Sequence, residues 1–235
     1  MSIPPALSTL ISNYQEEAQS HVRFRPPAWE RTLGAENSAL SALTDDRYSW
    51  KDASIHSDRN TDREHVKALA DSIDLDDENS LLRAFLMAQA WGAGTTGSRS
   101  IRHTKSAFAD RSNLLESLRS TTEVLRGSND PNALSEAHTR WHCAGVKQSF
   151  FTKWFTFAGA RKGRDWQPLI LDGRVLRSLN RTLDVTTQDL AGSRSRARRY
   201  QSYVETIYKW AAETGVDAHR LEWILFAQNG KKVEQ

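Results

Sequence analysis

The sequence predicts a mostly α protein, and three observations lead to this class. Apolar residues recur at helical spacing over several long segments, and glycine, proline or capping residues separate these segments from one another. Only the run PLILD at residues 168–172 has the composition of a strand, and it is too short to imply a sheet. The chain contains no internal repeat and no low-complexity tract.

The first 80 residues give weak helical signals, so we predict an irregular N-terminal region. One amphipathic helix is expected before the Pro26-Pro27 pair, because two consecutive prolines do not fit inside a helix. Residues 44–64 are polar and charged and are interpreted as a long surface loop. Since no linker-like break precedes residue 81, residues 1–80 are expected to wrap a helical core formed by residues 81–235.

Helical signals dominate after residue 80. The apolar run at 81–91 predicts a buried helix that ends at a glycine-rich loop over residues 92–97. Further helices are predicted at 106–126, 131–143 and 147–159, through ARRYQSYVETIYKWAAET, and through HRLEWILFAQ after the capping residue Asp217.

Composition excludes several classes of protein. A content of 38% hydrophobic residues with eight tryptophans excludes a wholly disordered chain. No run approaches the ~18 apolar residues of a membrane helix, and the start lacks the basic and apolar pattern of a secretion signal. The single cysteine, Cys143, excludes an internal disulfide, and no Cys/His cluster has zinc-ligand spacing. We expect a cytoplasmic monomer that uses no metal and no cofactor.

Positive charge is concentrated in one part of the chain. Residues 140–200 hold 13 Lys and Arg against 4 Asp and Glu, a net charge of +9, whereas residues 1–139 carry a net charge of −5. Such a basic block favours a polyanionic partner, because Lys and Arg bind phosphates. A solvated face is the alternative interpretation.

Gly145 lies in this block between two predicted helices. A tight turn there would direct the backbone amides at the start of the second helix towards a phosphate oxygen. The candidate ligands of that phosphate are Gly145, Lys147, Gln148 and Ser149. A lone glycine in a helical hairpin is also common without any ligand.

The second helix of this pair places Lys153 among phenylalanine and tryptophan side chains. Burial among these rings would lower the pKa of the lysine amine and make it a nucleophile. The alternative is a lysine whose stem runs along the apolar surface and whose amine reaches solvent.

Asp172 follows the apolar run Leu169-Ile170-Leu171 and precedes another predicted helix. A carboxylate at the edge of a core could stabilise oxocarbenium-like charge on a sugar or activate a water. The alternative is a helix N-cap, a position that Asp favours. The two interpretations are compatible, because a capping carboxylate is also held in place.

These residues carry a resemblance to a known family. The string from Gly145 to Arg177 resembles the helix-hairpin-helix DNA glycosylase superfamily. Four stretches are similar to a bacterial group with the 8-oxoguanine DNA glycosylase fold. They are FFTKWFTFAG, LILDGRVLRSL, Trp91-Gly92-Ala93-Gly94 and residues 221–226. The resemblance covers roughly residues 80–228. It implies a helix-hairpin-helix DNA glycosylase-like fold, DNA as the partner and Asp172 as the essential acid.

Two positions depart from the family pattern. Lys147 stands where the family hairpin commonly has a second glycine, and alignment on Gly145 places the family's Schiff-base lysine at Ser149. On that alignment the enzyme would be monofunctional, with Asp172 assisting base loss and no covalent step. Lys153 lies one helical turn further on, so lyase chemistry stays open.

Base excision requires the target nucleotide to leave the duplex and enter a pocket. The candidates to line that pocket are Trp91, Trp154 and His103, although tryptophans of a helical protein more often form its core. The candidate DNA contacts outside the hairpin are Arg102, Lys105 and Arg174.

We therefore predict a DNA glycosylase that excises a modified base and leaves an abasic site, in base-excision repair or in defence against phage DNA. The fold does not determine which base is removed. The alternatives are a non-catalytic DNA-binding or damage-sensing protein, a nuclease or abasic lyase that uses Lys153, and an interaction subunit whose basic block binds an acidic protein.

Overall fold

The computed structural model describes residues 2–95 and 98–232, so residues 96–97 of the predicted glycine-rich loop lie outside the described residues. The mostly α class is confirmed. The helices are α1 Ala6–Asn13, α2 Pro26–Leu33, α3 Ser41–Thr44, α4 Arg63–Asp71, α5 Glu78–Ala93, α6 Ser98–Ala109, α7 Arg111–Gly127, α8 Asn132–Arg140, α9 Gln148–Ala158, α10 Gly173–Arg177, α11 Thr187–Ala191, α12 Arg196–Thr214 and α13 Ala218–Gln228. In the described ranges, no helix is both long and apolar enough to cross a membrane.

Most helices predicted after residue 80 are present, but one is divided into two helices and another ends earlier than predicted. The segment 106–126 contains parts of α6 and α7, because the chain leaves the helical conformation at Asp110. The apolar spacing continues across this break, so the pattern did not reveal it. α8 ends before the predicted residue 143, because Trp141 is extended and its indole Nε1 donates a hydrogen bond to the Val146 carbonyl at 3.0 Å.

The N-terminal region is more regular than predicted. Besides α1–α4 it contains three short strands, β1 Val22–Phe24, β2 Trp50–Lys51 and β3 Arg59–Thr61. β3 is central and pairs antiparallel with both neighbours. The two prolines begin α2, where the missing amide hydrogen has no helical partner to lose.

The segment 44–64 contains β2 and β3, which corrects the expectation of a surface loop. Asp58 is completely buried, and its carboxylate accepts a hydrogen bond from Arg25 Nε at 2.7 Å. Arg59 is also buried and donates to the hydroxyl and the carbonyl of Ser49, at 2.7 and 2.6 Å. Composition does not distinguish such paired, buried polar groups from solvated ones.

One hydrophobic cluster contains residues from the start and the end of the chain. Leu7, Phe24 and Trp29 are fully buried in the same cluster as the apolar residues of α5, α9 and α12. The hydroxyl of Tyr14 donates to Gln228 Oε1 at the end of α13, at 3.1 Å. The N-terminal region therefore packs directly on the C-terminal helices.

Residues 168–171, the first four of the strand-like run, form an extended segment that pairs with no strand in the described part of the chain. Side chains satisfy its backbone instead. Tyr200 and Tyr203 on α12 each donate a hydroxyl hydrogen bond at 2.9 Å to one of its carbonyls. Two of its amides donate to Thr152 Oγ1 at 3.1 Å and to Glu222 Oε2 at 3.0 Å. The prediction of a strand is wrong here, because these side chains take the place of a neighbouring strand.

Candidate functional site

The loop between α8 and α9 forms a hairpin, as predicted. Gly145 adopts a φ of +81°, a conformation that favours glycine, and a Cβ at this position would lie 3.2 Å from Ser106 Cβ on α6. Lys147 is exposed in the N-cap position of α9, and its side chain makes no capping hydrogen bond within the described chain. The amides at the start of α9 lack this cap, which is the arrangement that suits an anion.

The side chains near the hairpin differ in how freely they can bind a ligand. Gln148 Oε1 lies 3.3 Å from His138 Nε2, so this amide already has a partner inside the protein. Ser149 is half-buried. Arg102 and Lys105 are exposed on α6, which packs against the hairpin. The structure therefore brings the predicted cations of α6 close to the hairpin.

A cavity of about 120 Å³ lies between α5, α9, α13 and the N-terminal region. Lys153, Asp172 and Trp91 all line it, so three of the predicted site residues meet there. Its volume is well below the range of roughly 300–1,000 Å³ typical of drug-sized ligand sites. The cavity therefore suits one small chemical group.

Lys153 is buried in this cavity, with 6% of its surface exposed. Its amine donates a hydrogen bond to the Ser149 carbonyl and lies 5.3 Å from the centre of the Phe150 ring. Burial lowers the pKa of the amine, and the negative charges of Asp172 and Glu222 partly oppose this effect. A lysine that reaches solvent along its stem does not describe this residue.

The cavity contains Lys153, where alignment on Gly145 suggested Ser149. Ser149 contributes its backbone carbonyl to the lysine amine. The residues that line the cavity include Lys153 and do not include Ser149. The two residues lie one turn apart on the same face of α9, and only the later one reaches the cavity that Asp172 also lines.

Gly92, on α5, makes room for the lysine. A Cβ on this glycine would lie 2.4 Å from Lys153 Cε and 2.5 Å from Lys153 Cδ. These distances are shorter than any ordinary contact between carbon atoms. The absence of a side chain at residue 92 therefore determines where the lysine stem runs.

Asp172 both caps α10 and lines the cavity. Its Oδ1 accepts hydrogen bonds from the amides of Arg174 at 2.8 Å and Val175 at 3.0 Å. Both capping bonds use the same oxygen, so Oδ2 is outside them. Arg174, a predicted DNA contact, is exposed, and its guanidinium lies 4.7 Å from the centre of the Phe226 ring.

Two residues predicted for the base pocket lie elsewhere. Trp154 is 1% exposed and packs edge-on against Phe85 in the core, with 6.2 Å between the ring centres. His103 lies on α6 with its ring 5.8 Å from that of Phe150. Neither belongs to the residues that line the cavity with Trp91. The general tendency of tryptophan to be part of the core explains the first of these differences.

The basic block is only partly available to a ligand. Arg164 is buried, and its guanidinium donates to several carbonyls, including those of Trp166 at 2.7 Å and Gly159 at 3.0 Å. Burial lowers its pKa to about 10. Arg164 joins the loop after α9 to the core, so the sequence count overstates the exposed positive charge.

Sequence reasoning missed Glu222 and Arg63, which also line the cavity. Glu222 is 2% exposed on α13, and Arg63 lies on α4. A signal for Glu222 was present, because it is the one acidic residue in the apolar run HRLEWILFAQ. No comparable local signal marks Arg63 among the many charged residues of the N-terminal region.

A family model described as "Putative 8-oxoguanine DNA glycosylase OGG-like protein" matches residues 15–226. The match includes the hairpin, Lys153, Asp172 and Glu222. No match is found among curated proteins or among solved structures. A model that covers most of the chain shows the family, so this protein belongs to the 8-oxoguanine DNA glycosylase OGG-like family.

Proposed function

We propose that this protein flips a modified base out of DNA and cleaves its N-glycosidic bond in the cavity that Lys153 and Asp172 line. The observation that carries this proposal is the meeting of a buried amine and a carboxylate in one small cavity. Membership of a glycosylase family supports the class of reaction. The protein would act as a monomer on DNA.

The chemistry follows from the two side chains. As the bond between C1′ and the base breaks, the base leaves with the electron pair, and Asp172 stabilises the positive charge on the sugar. The amine of Lys153, in its deprotonated form, then attacks C1′ and passes a proton to solvent. The C1′–O4′ bond breaks, O4′ keeps the electron pair and takes up a proton, and a protonated imine between Lys153 and C1′ remains. In a monofunctional enzyme, water would attack C1′ instead, and no imine would form. The position of Lys153 in the cavity favours the first course.

The hairpin is proposed to hold the DNA backbone. Gly145 shapes the turn, and Lys147, exposed in the N-cap position of α9, makes no capping hydrogen bond with its side chain in the described part of the chain. Arg102, Lys105 and Arg174 would add contacts to phosphates. These contacts would position the duplex without reading its sequence.

The cavity supports a single small base as the substrate. Its volume of about 120 Å³ and its aromatic wall at Trp91 suit one flat ring system. The family description points to an oxidised purine. Phage bases that carry bulky groups, the defence alternative, would need a larger space.

An abasic-site assay on a panel of DNAs tests the proposal. The panel contains unmodified, oxidised-guanine, uracil, alkylated and modified-cytosine DNA. We expect abasic sites on the oxidised-guanine DNA, and Asp172→Asn should lower the rate by at least about a hundredfold. Asp77→Asn is the matched control, because Asp77 also caps a helix, α5, but lies outside the residues that line the cavity.

Borohydride trapping distinguishes the two courses of reaction. Wild type should form a covalent complex with DNA, and Lys153→Gln should abolish it. Abasic sites without a trapped complex would show a monofunctional enzyme. DNA binding without abasic sites on any substrate would instead show the non-catalytic DNA-binding protein and leave Asp172 as a helix cap.

A further inference from the structure

A second carboxylate lies in the cavity and takes no part in the chemistry described above. Glu222 accepts hydrogen bonds from Arg63 Nη2, at 3.0 Å to Oε1 and 3.3 Å to Oε2. Its Oε2 also accepts the amide of Ile170 at 3.0 Å, two residues before Asp172. Glu222 therefore joins α4, α13 and the extended segment that ends at Asp172.

Arg63 is held against the cavity by several groups. Its side chain is 15% exposed, its Nη1 lies 3.2 Å from His219 Nδ1, and its guanidinium lies 5.7 Å from the centre of a Trp91 ring. The guanidinium of Arg63 therefore lies directly beside the carboxylate of Glu222.

Few charged groups face the amine of Lys153. The elements that line the cavity contribute Asp172 before α10, Glu222 from α13 and Arg63 from α4. α5 contributes Trp91 and Gly92, and the segment before β1 contributes uncharged side chains. The titratable group beside Arg63 is His219, and burial lowers its pKa, an effect that the charge of Glu222 opposes.

We propose that Glu222 and Arg63 are positioning residues for the cavity. Glu222 holds the segment that delivers Asp172, and Arg63 holds Glu222 and offsets part of its charge at the lysine amine. The chemical use of this arrangement rests on the proposed function, but the arrangement can be measured without it.

The two partners have opposite effects on Lys153. Without the charge of Arg63, an uncompensated Glu222 favours the ammonium form of the lysine. Without the charge of Glu222, an uncompensated Arg63 favours the neutral amine. A pair whose charges lie too far from the amine would move the titration of the lysine in neither direction.

NMR titration of protein labelled with ¹³C at lysine Cε tests this prediction. The signal of Lys153 is identified by its loss in Lys153→Arg. We expect Arg63→Gln to move its titration midpoint to higher pH by about 1 pH unit, and Glu222→Gln to move it by about as much to lower pH. The double variant Arg63→Gln/Glu222→Gln should titrate near wild type.

The controls separate charge from folding. Arg111 and Glu78 form an exposed pair, with 51% and 53% of the side chains accessible, so Arg111→Gln and Glu78→Gln should leave the midpoint unchanged. Arg63→Lys keeps the charge and should stay close to wild type. Thermal melts identify any variant that is unfolded. If one of the two single variants Arg63→Gln and Glu222→Gln is unfolded, the shift in the other one carries the test.

The outcomes keep this proposal distinct from the proposed function. Shifts of equal sign, or no shift, in folded variants would overturn the positioning role even if base excision is observed. Opposite shifts in a protein that excises no base would support the arrangement and refute the proposed function. If excision is observed, the pH profile of its rate should follow the same shifts.

Discussion

The hairpin before α9 and the extended segment 168–171 are both non-helical, but they are built in opposite ways. The hairpin needs a glycine with positive φ and leaves the start of α9 without a side-chain cap from Lys147. The extended segment has no special glycine, and side chains from α9, α12 and α13 hold its carbonyls and amides. The hairpin is the proposed contact with DNA, whereas residues 168–171 are held in place by the side chains around them.

This difference matches the two roles that we propose for the site, DNA binding and base excision. An anion can bind exposed amides with little demand on the surrounding structure. A carboxylate that acts on a reacting atom must be held in position, because small displacements are costly for the reaction rate. The side-chain partners of residues 168–171 provide that rigidity for Asp172.

Among the variants that test this comparison, Gly92→Ala should have the largest effect, because it acts on Lys153, which lines the cavity together with Asp172. The new methyl group would displace the stem of Lys153 from its position. Displacement by about 1 Å can cost on the order of a hundredfold in rate, with DNA binding almost unchanged. Gly127→Ala is the matched control, because no atom of residues 2–95 or 98–232 outside its immediate neighbours lies within 4 Å of its Cβ position. Single-turnover rates and binding titrations measure both properties, and equal rates in the two variants would contradict the prediction.

Thr152→Val should have the next largest effect. It leaves the amide of Leu171 without the 3.1 Å acceptor and should lower the free energy of unfolding by about 1–3 kcal/mol. The rate should fall as well, because the segment before Asp172 loosens. Thr152→Ser keeps the hydroxyl and isolates its contribution. Urea denaturation together with excision rates provides the measurement, and loss of stability in the Ser variant alone would argue against this explanation.

Lys153→Met should stabilise the protein by about 1 kcal/mol at pH 7, because Lys153 is buried. Lys147→Met should change the stability little, because Lys147 is exposed in the hairpin. Burial lowers the pKa of Lys153 in the folded state, so the unfolded chain binds more protons between the two pKa values. The free energy of unfolding of wild type therefore increases as pH rises through that window, and its difference from that of Lys153→Met becomes smaller. Denaturation at several pH values tests this, and a gap that widens with pH would contradict it.

Lys147→Ala should have the smallest effect and should act on binding alone. Loss of one phosphate contact lowers the slope of log affinity against log salt by about 0.9. Lys162→Ala is the control, since this exposed cation lies after the other end of α9, roughly 16 Å along the helix. Fluorescence anisotropy with labelled DNA at several salt concentrations reveals the slopes, and identical slopes for both variants would remove Lys147 from the interface.

The features that depend on residues close together in the chain could be predicted from the amino-acid sequence. Helical spacing and capping residues predicted α5 and most later helices, the turn at Gly145, and the helix capped by Asp217. These signals are readable because residues three and four apart meet on a helix, and a cap bonds to amides two or three residues away. The same local rules marked Asp172 and Lys153 as candidates, but not their relation to each other.

The set of side chains that meet in the cavity became visible only in the folded protein. Arg63 and Glu222 are 159 residues apart in the chain, and no local pattern joins them. The packing of the helices places Lys153, and not Ser149, in the cavity. It also gives residues 168–171 side-chain partners where a neighbouring strand was expected. Such contacts depend on how whole helices pack against each other, and the spacing of residues within one helix carries no record of that arrangement.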